Sequence, residues 1–211
     1  MGNGSKAEML IAVCAVISSI AAVYIAWDQA RVMRSQEKAD VWPILQTTHQ
    51  TDVGENGNIY AFELRNAGVG PALIDNYLIR IPGEGDTQEF NKLVDYLMPE
   101  EMGVPTRANT SLSGRVMRQG DKLSTVRAAW PGTPDITEAI QSRIDEFLAG
   151  ERQPAEVFIC YCSILDDCWV TSTMTDNLRP TEVKACTELT SVANKLMPPS
   201  TEMEKPKEAQ E

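Results

Sequence analysis

The sequence predicts a mainly β domain behind an N-terminal transmembrane helix, with two short helices inserted between strands. Three observations carry this. The stretch Met9–Trp27, MLIAVCAVISSIAAVYIAW, holds no charge and is bounded by Glu8 and Asp28. Residues 44–81 and 156–172 hold short runs of β-branched and aromatic residues separated by turn formers. Two segments, 86–97 and 133–150, change to helical spacing. The chain thus divides into a short tail (1–8), a membrane helix (9–27), a helical stalk (28–41), a β domain (42–190) and a disordered tail (191–211).

Composition narrows the function. The 211 residues hold 30 acidic and 19 basic side chains, a net charge of −11. Nucleic acid and anionic lipid both reward Lys and Arg, so the excess of acid disfavours them as partners of the soluble part and excludes nucleic acid from the reading. The domain has enough chain to bury a core unaided.

The apolar stretch matches roughly 30 Å of bilayer hydrocarbon at about 1.5 Å per residue. A cleaved signal peptide ending near Ala21, or a buried core helix, would also be apolar. The pattern nevertheless runs on through Tyr24 and Trp27, where an interfacial aromatic belt belongs. Lys6 precedes the segment, whereas Arg31, Arg34 and Lys38 follow it, so the positive-inside rule favours a cytoplasmic domain over a periplasmic one. Cys14, Ser18, Ala22 and Ala26 recur every four residues and form a small-residue face on which a partner helix, or a second copy, could pack closely.

Beyond the membrane, DQARVMRSQEKAD continues as helix until Trp42–Pro43 ends it. Ile44–Thr51 reads as a first strand, Ile59–Leu64 as a second and Leu73–Ile81 as a third. A capping-box-like Asp86/Glu89 opens the first inserted helix, with Phe90, Leu93, Val94 and Leu97 on one face. Leu112–Met117 and Leu123–Ala129 read as a hairpin turning at Gln119-Gly120-Asp121. Thr133-Pro134-Asp135 punctuates the second inserted helix, whose apolar face is Ile136, Ile140, Ile144, Phe147 and Leu148 and whose end is Gly150. Val157–Cys162 and Trp169–Thr171 form the strongest hairpin, both faces of its first strand being apolar. The expected core includes Ile59, Leu64, Ile79, Phe158, Ile159 and Trp169.

Between the second and third strands lies Leu64-Arg65-Asn66-Ala67-Gly68-Val69-Gly70-Pro71-Ala72. It resembles the L-x-N-x-G-x-G-P-A turn of uncharacterised bacterial single-pass membrane proteins, as do VYIAWDQARVMRSQEKADVWP and the Tyr161-Cys162-Ser163 to Cys168-Trp169 region. The resemblance implies an immunoglobulin-like antiparallel β-sandwich, anchored in the bacterial inner membrane, with Asn66, Gly68, Gly70 and Pro71 as a structural turn. It implies no activity. Two departures stand out: the helical insertions, and Asp166-Asp167 where glycine is expected.

Few residues carry chemistry. Cys160, Cys162, Cys168 and Cys186 crowd the last third, with Cys160 and Cys162 on one strand face. They fit three readings: buried free thiols, a disulfide (most simply Cys162–Cys168) in an oxidising compartment, or a four-thiolate zinc site. C-x-C within a strand is a poor zinc knuckle. His49 stands alone on the first strand, without a second histidine or a G-x-S-x-G nucleophile motif. The acid pairs Glu100-Glu101 and Asp166-Asp167 read as solvated turns, a weak divalent-cation site being the alternative. Gly68-Val69-Gly70 runs into Pro71 and a strand, not into a helix N-terminus, so it is no phosphate loop. No catalytic or metal site and no cofactor is expected. The sequence reads as a non-enzymatic, membrane-anchored module that binds another protein. The alternatives are an accessory subunit docking through its helix and a cysteine-based redox or zinc sensor.

Overall fold

The computed structural model describes residues 4–54, 57–98, 102–173 and 179–198. It contains two compact units, Met1–Val41 and Trp42–Glu211.

The first unit is a single helix, α1 (Gly4–Asp40), of 37 residues. No proline or glycine interrupts it after Gly4, so the apolar segment and the expected stalk are continuous. It is long and apolar enough to cross a membrane, and none of its apolar window is buried. A core helix would be mostly buried, so this favours the spanning reading over the core-helix one. Within it Ser19 returns its hydroxyl to the Val16 carbonyl at 2.8 Å, which satisfies a polar group without a partner outside the helix. The Arg31 guanidinium stacks 4.8 Å from the Trp27 ring centroid.

The second unit contains ten strands in two sheets. One sheet runs β1 (Leu45–Gly54), β2 (Gly57–Asn66), β7 (Lys122–Trp130) and β5 (Thr106–Asn109). The other runs β10 (Thr181–Val183), β9 (Cys168–Ser172), β8 (Glu156–Cys162), β3 (Ala72–Ile81) and β4 (Gly85–Thr87), with β6 (Arg115–Met117) also on β3. Every pairing among the described residues is antiparallel. Three short helices accompany them: α2 (Phe90–Leu97), α3 (Pro134–Leu148) and α4 (Leu189–Leu196).

Side-chain alternation builds the main core. Tyr60, Phe62 and Leu64 from β2 pack with Ile79 and Ile81 from β3 and with Val157, Ile159 and Tyr161 from β8. Phe90, Leu93 and Val94 of α2 and Ile140 of α3 close onto the same cluster. The opposite face of β8 is buried too. Phe158 and Cys160 join Cys168, Val170, Val183, Cys186, Leu189, Val192 and Ala193 in a second cluster. The β8 strand is therefore central, as its two apolar faces predict. Of the expected core, Leu64, Ile79, Phe158 and Ile159 are buried, whereas Ile59 and Trp169 are half-buried.

Three expectations need correction. Asp86 does not start α2. It sits in β4 opposite Arg80, whose guanidinium takes its carboxylate bidentately at 2.6 and 2.8 Å. Arg80 is 3% exposed, and a buried cation demands a partner more strongly than a surface helix demands a cap; α2 starts after Glu89 instead. Second, β6 and β7 are not a hairpin, since β6 pairs with β3 and β7 with β2 and β5. The chain crosses between sheets at 118–121, held by Gly120 N–H to Asn66 O at 2.9 Å and Asn66 N–H to Asp121 O at 3.0 Å. Third, α4 occupies the start of the expected disordered tail. Its Leu189, Val192 and Ala193 are buried, and Arg80 reaches it through Asn194 Oδ1 at 2.8 Å and the Met197 carbonyl. Residues 199–211 of that tail lie outside the described residues.

Among the described glycines, Gly68 is the most closely approached. A Cβ there would lie 2.3 Å from Ile44 N and 2.4 Å from Trp42 O, so the backbone segments touch where the glycine is. Gly68→Ala is expected to lower stability by about 3 kcal/mol or more, since rigid backbone must move. Thermal unfolding of the full chain measures this; a change below about 0.5 kcal/mol would refute the close approach.

Candidate functional site

The structure brings the four domain cysteines together from three elements. Cys160 and Cys162 lie on β8, Cys168 starts β9, and Cys186 opens the 3₁₀ turn Cys186–Glu188 before α4. Two disulfides form. Cys162–Cys168 joins directly opposed residues across the β8–β9 ladder, with Cα atoms 4.0 Å apart. Cys160–Cys186 ties the centre of β8 to the C-terminal segment, with Cα atoms 5.5 Å apart. The bonds adjoin one another: Cys162 Sγ and Cys186 Sγ are 3.9 Å apart.

The sulfurs of Cys162, Cys168 and Cys186 fall within 4.8 Å of one another, compact enough for a metal. Zinc needs thiolates, and each of these sulfurs is spent in a disulfide. The Cys162–Cys168 bond is one of the three readings that the hairpin allows; Cys160–Cys186 needs the return of the chain over the outer face of β8, which no local pattern gives. The loop closing β8 to β9 is Ser163–Asp167, with Ser163 N–H to Asp167 O at 2.8 Å. Asp166 has φ +60°, the left-handed region that glycine enters most easily and Asp tolerates. This is the position where the resemblance leads one to expect glycine. Glu100-Glu101 lies outside the described residues.

The turn Asn66, Gly68, Gly70 and Pro71 is a node of polar contacts. The Asn66 carboxamide donates from Nδ2 to Gly70 O at 2.8 Å and to Met117 O at 3.0 Å. Its Oδ1 accepts from Gly68 N–H at 3.0 Å and from Ile44 N–H at 3.3 Å. Ala67, Val69 and Gly70 N–H donate to the carbonyls of Ile44 and Trp42. Among the described residues, the Asn66 carboxamide spends both its donors and its acceptor on the fold.

The small-residue face of α1, Cys14, Ser18, Ala22 and Ala26, is exposed along its length. Cys14 is a free thiol.

The lone histidine lies on the first strand, as expected, and beside a pocket. His49 projects from β1 with its ring edge-on to Phe62, centroids 5.1 Å apart, and Nδ1 2.9 Å from the Tyr60 hydroxyl. Beside it is a pocket of about 220 Å³. It is walled by Thr51 and Tyr60 from the first sheet, Leu97 and Met98 at the end of α2, Ile140, Arg143, Ile144 and Phe147 from α3, and Pro154, Ala155 and Thr173 near the second sheet. His49 keeps a solvent-facing edge, yet the protein packed around its ring disfavours the charged form and pushes its pKa below the ordinary value. Burial pushes Tyr60 up. The pair is therefore uncharged at neutral pH. Among the described residues that line the pocket there is no carboxylate or thiol. The sequence signal for this pocket is the apolar face of α3, which fits a helix covering the sandwich and equally a helix that binds a partner.

Comparison of the chain with protein-family models, curated proteins and solved structures gives no match.

The disulfides make a stability prediction. Loop closure alone gives about 3.5 kcal/mol for the Cys160–Cys186 crosslink, which spans 26 residues, and about 2 kcal/mol for the Cys162–Cys168 crosslink, which spans 6. Alkylation of the unfolded, unreduced chain should modify one thiol, Cys14, and alkylation after reduction all five. Modification of all five without reduction would refute both bonds.

Proposed function

We propose that the chain is a membrane-tethered recognition module: an immunoglobulin-like sandwich with inserted helices that takes up an extended segment of another protein and catalyses nothing. It belongs in this reading with the bacterial single-pass proteins that share the N-x-G-x-G-P-A turn.

The observation that carries the proposal is that β1 ends the first sheet, with no strand paired on its outer side among the described residues. Ala67 N–H donates to Ile44 O, which fixes the parity of the β1–β2 ladder. Residues 46, 48, 50, 52 and 54 then bond to β2, and the amides of Thr47, His49, Thr51 and Val53 face away from it. Soluble proteins blunt such an edge with proline, lysine, a bulge or shortness. This strand is 10 residues long and holds none of those residues. The other edge strands, β5, β10, β4 and β6, have 3 or 4 residues each. A partner strand adding to β1 would obtain main-chain hydrogen bonds for affinity.

The side of the membrane follows from the cysteines in this proposal. Two disulfides favour an oxidising compartment, against the weight of Arg31, Arg34 and Lys38 on the positive-inside count. The disulfides carry more, because three flanking cations in an otherwise acidic chain are a weak orientation signal. We accordingly propose that the domain lies outside the cytoplasm, on the periplasmic face of a bacterial inner membrane. A second reading, an accessory subunit packed through its helix, draws on the uncovered Cys14–Ala26 face.

The β1 reading has a backbone-specific test. Thr47→Pro deletes an outward donor and leaves the β1–β2 ladder bonds in place, so stability should change by less than about 1 kcal/mol. In-cell photocrosslinking from position 50 is expected to yield partner adducts with the native chain and at least tenfold fewer with Thr47→Pro. Equal adduct yields would contradict edge recognition; adducts only from positions 18 and 22 would favour the subunit reading.

A further inference from the structure

The pocket beside His49 has no task in the reading above. It is not needed to satisfy the core: Ile140 and Ala155 are buried against neighbours on one side, while the space in front of them stays unfilled. Its volume of about 220 Å³ exceeds the roughly 150 Å³ of an apolar cavity that takes up benzene. It is smaller than the ~300–1,000 Å³ of pockets for drug-sized molecules. The walls set a size of about one aromatic ring plus a few methylenes.

Polar side chains in the lining are His49, Thr51, Tyr60, Arg143 and Thr173, and of these His49 and Arg143 offer N–H donors. The Tyr60 hydroxyl is buried in a 2%-exposed residue, and the only hydrogen bond it makes among the described residues is to His49 Nδ1. Donation from Tyr60 to Nδ1 leaves the imidazole proton on Nε2, where it is available to a ligand. Across the pocket, Arg143 has Nη1 on the Tyr96 carbonyl at 3.3 Å and Nε 3.1 Å from Glu146 Oε2. Its Nε, though within ion-pair distance of Glu146, makes no hydrogen bond among the described residues. A guanidinium with a spare nitrogen, next to a neutral N–H donor and an apolar slot, is matched by one kind of head group: an anionic acceptor.

We propose that this pocket binds a small apolar monocarboxylate, its body against Ile144 and Phe147 and its carboxylate between Arg143 and His49. The site is independent of the β1 edge: it lies on the inward side-chain face of the strand, whereas edge recognition uses the outward amides. An amine-headed analogue would bring its charge to Arg143 and be repelled. A neutral amide would keep one acceptor and lose the ion pair.

The test uses the full chain in lipid nanodiscs, with empty nanodiscs as the blank, and three probes sharing one body: 4-phenylbutyrate, 4-phenylbutyramide and 4-phenylbutylamine. Saturation-transfer NMR should show saturable binding of the carboxylate, at least tenfold tighter than the amine. Arg143→Gln should bring the carboxylate down to the affinity of the amide and leave the amide unchanged. Thr51→Trp, at an exposed position on the rim, should abolish binding of all three with the near-ultraviolet circular dichroism otherwise native. The proposal is overturned if the carboxylate gives no saturable signal above the blank. Equal binding of amine and carboxylate, or binding that survives Thr51→Trp, overturns it too. Photocrosslinking at the β1 edge reads out separately, so either proposal can fail alone.

Discussion

The Asn66 carboxamide is the interaction on which the domain depends. Four hydrogen bonds leave this one side chain, and they reach Ile44 before β1, Gly68 and Gly70 in the turn, and Met117 at the end of β6. The main chain of Asn66 adds Gly120 and Asp121. These segments belong to both sheets. A fully buried carboxamide costs several kcal/mol if unpaired and contributes about 0.5–1.5 kcal/mol per bond when paired. The site is therefore all or nothing: aspartate would lose both donors and place a charge among carbonyls. Gly68 serves the same joint from the backbone side, because only a residue without Cβ lets the turn lie against Trp42 and Ile44.

From that joint the layering follows. The first sheet covers one face of β3 and β8, and the C-terminal segment covers the other. Three devices hold that segment: the Cys160–Cys186 bond, the apolar contacts of Leu189, Val192 and Ala193, and Arg80. Arg80 is linked across the ladder to Asp86 and beyond it to Asn194, so β4, β3 and α4 share one buried cation. Desolvation of that guanidinium is offset by the bidentate carboxylate, which also raises its pKa and keeps it charged. A β8 strand apolar on both faces makes sense only with such a cover.

Much of this was legible along the chain, and the misses share a cause. Patterns that act within a few residues read correctly: the apolar run in α1, the strands flanking Asn66–Pro71, the Thr133-Pro134 start and Gly150 end of α3, and the β8–β9 turn. Asp86 failed because its partner is a buried arginine six residues away in another strand, which outweighs a capping pattern. The 112–129 hairpin failed because Asn66 captures the crossing, and a turn at Gly120 looks the same in either topology. Residues 189–196 failed because a short amphipathic helix in a polar stretch earns its order from the sheet beneath it. The pocket was hidden for a further reason: a hydrophobic helix face reads the same whether every position on it is packed or one flank is left open. The Cys162–Cys168 pair was one of several readings from sequence, and Cys160–Cys186 needed the fold.

In the proposed reading the domain is a disulfide-clasped sandwich held outside the cytoplasm by a single helix. The most direct measurement is membrane topology, read from C-terminal alkaline phosphatase and green fluorescent protein fusions to the full chain in a bacterial host. High phosphatase activity with a dark fluorescent fusion is the predicted result. A bright fluorescent fusion with an inactive phosphatase would put the four cysteines in a reducing compartment and contradict it.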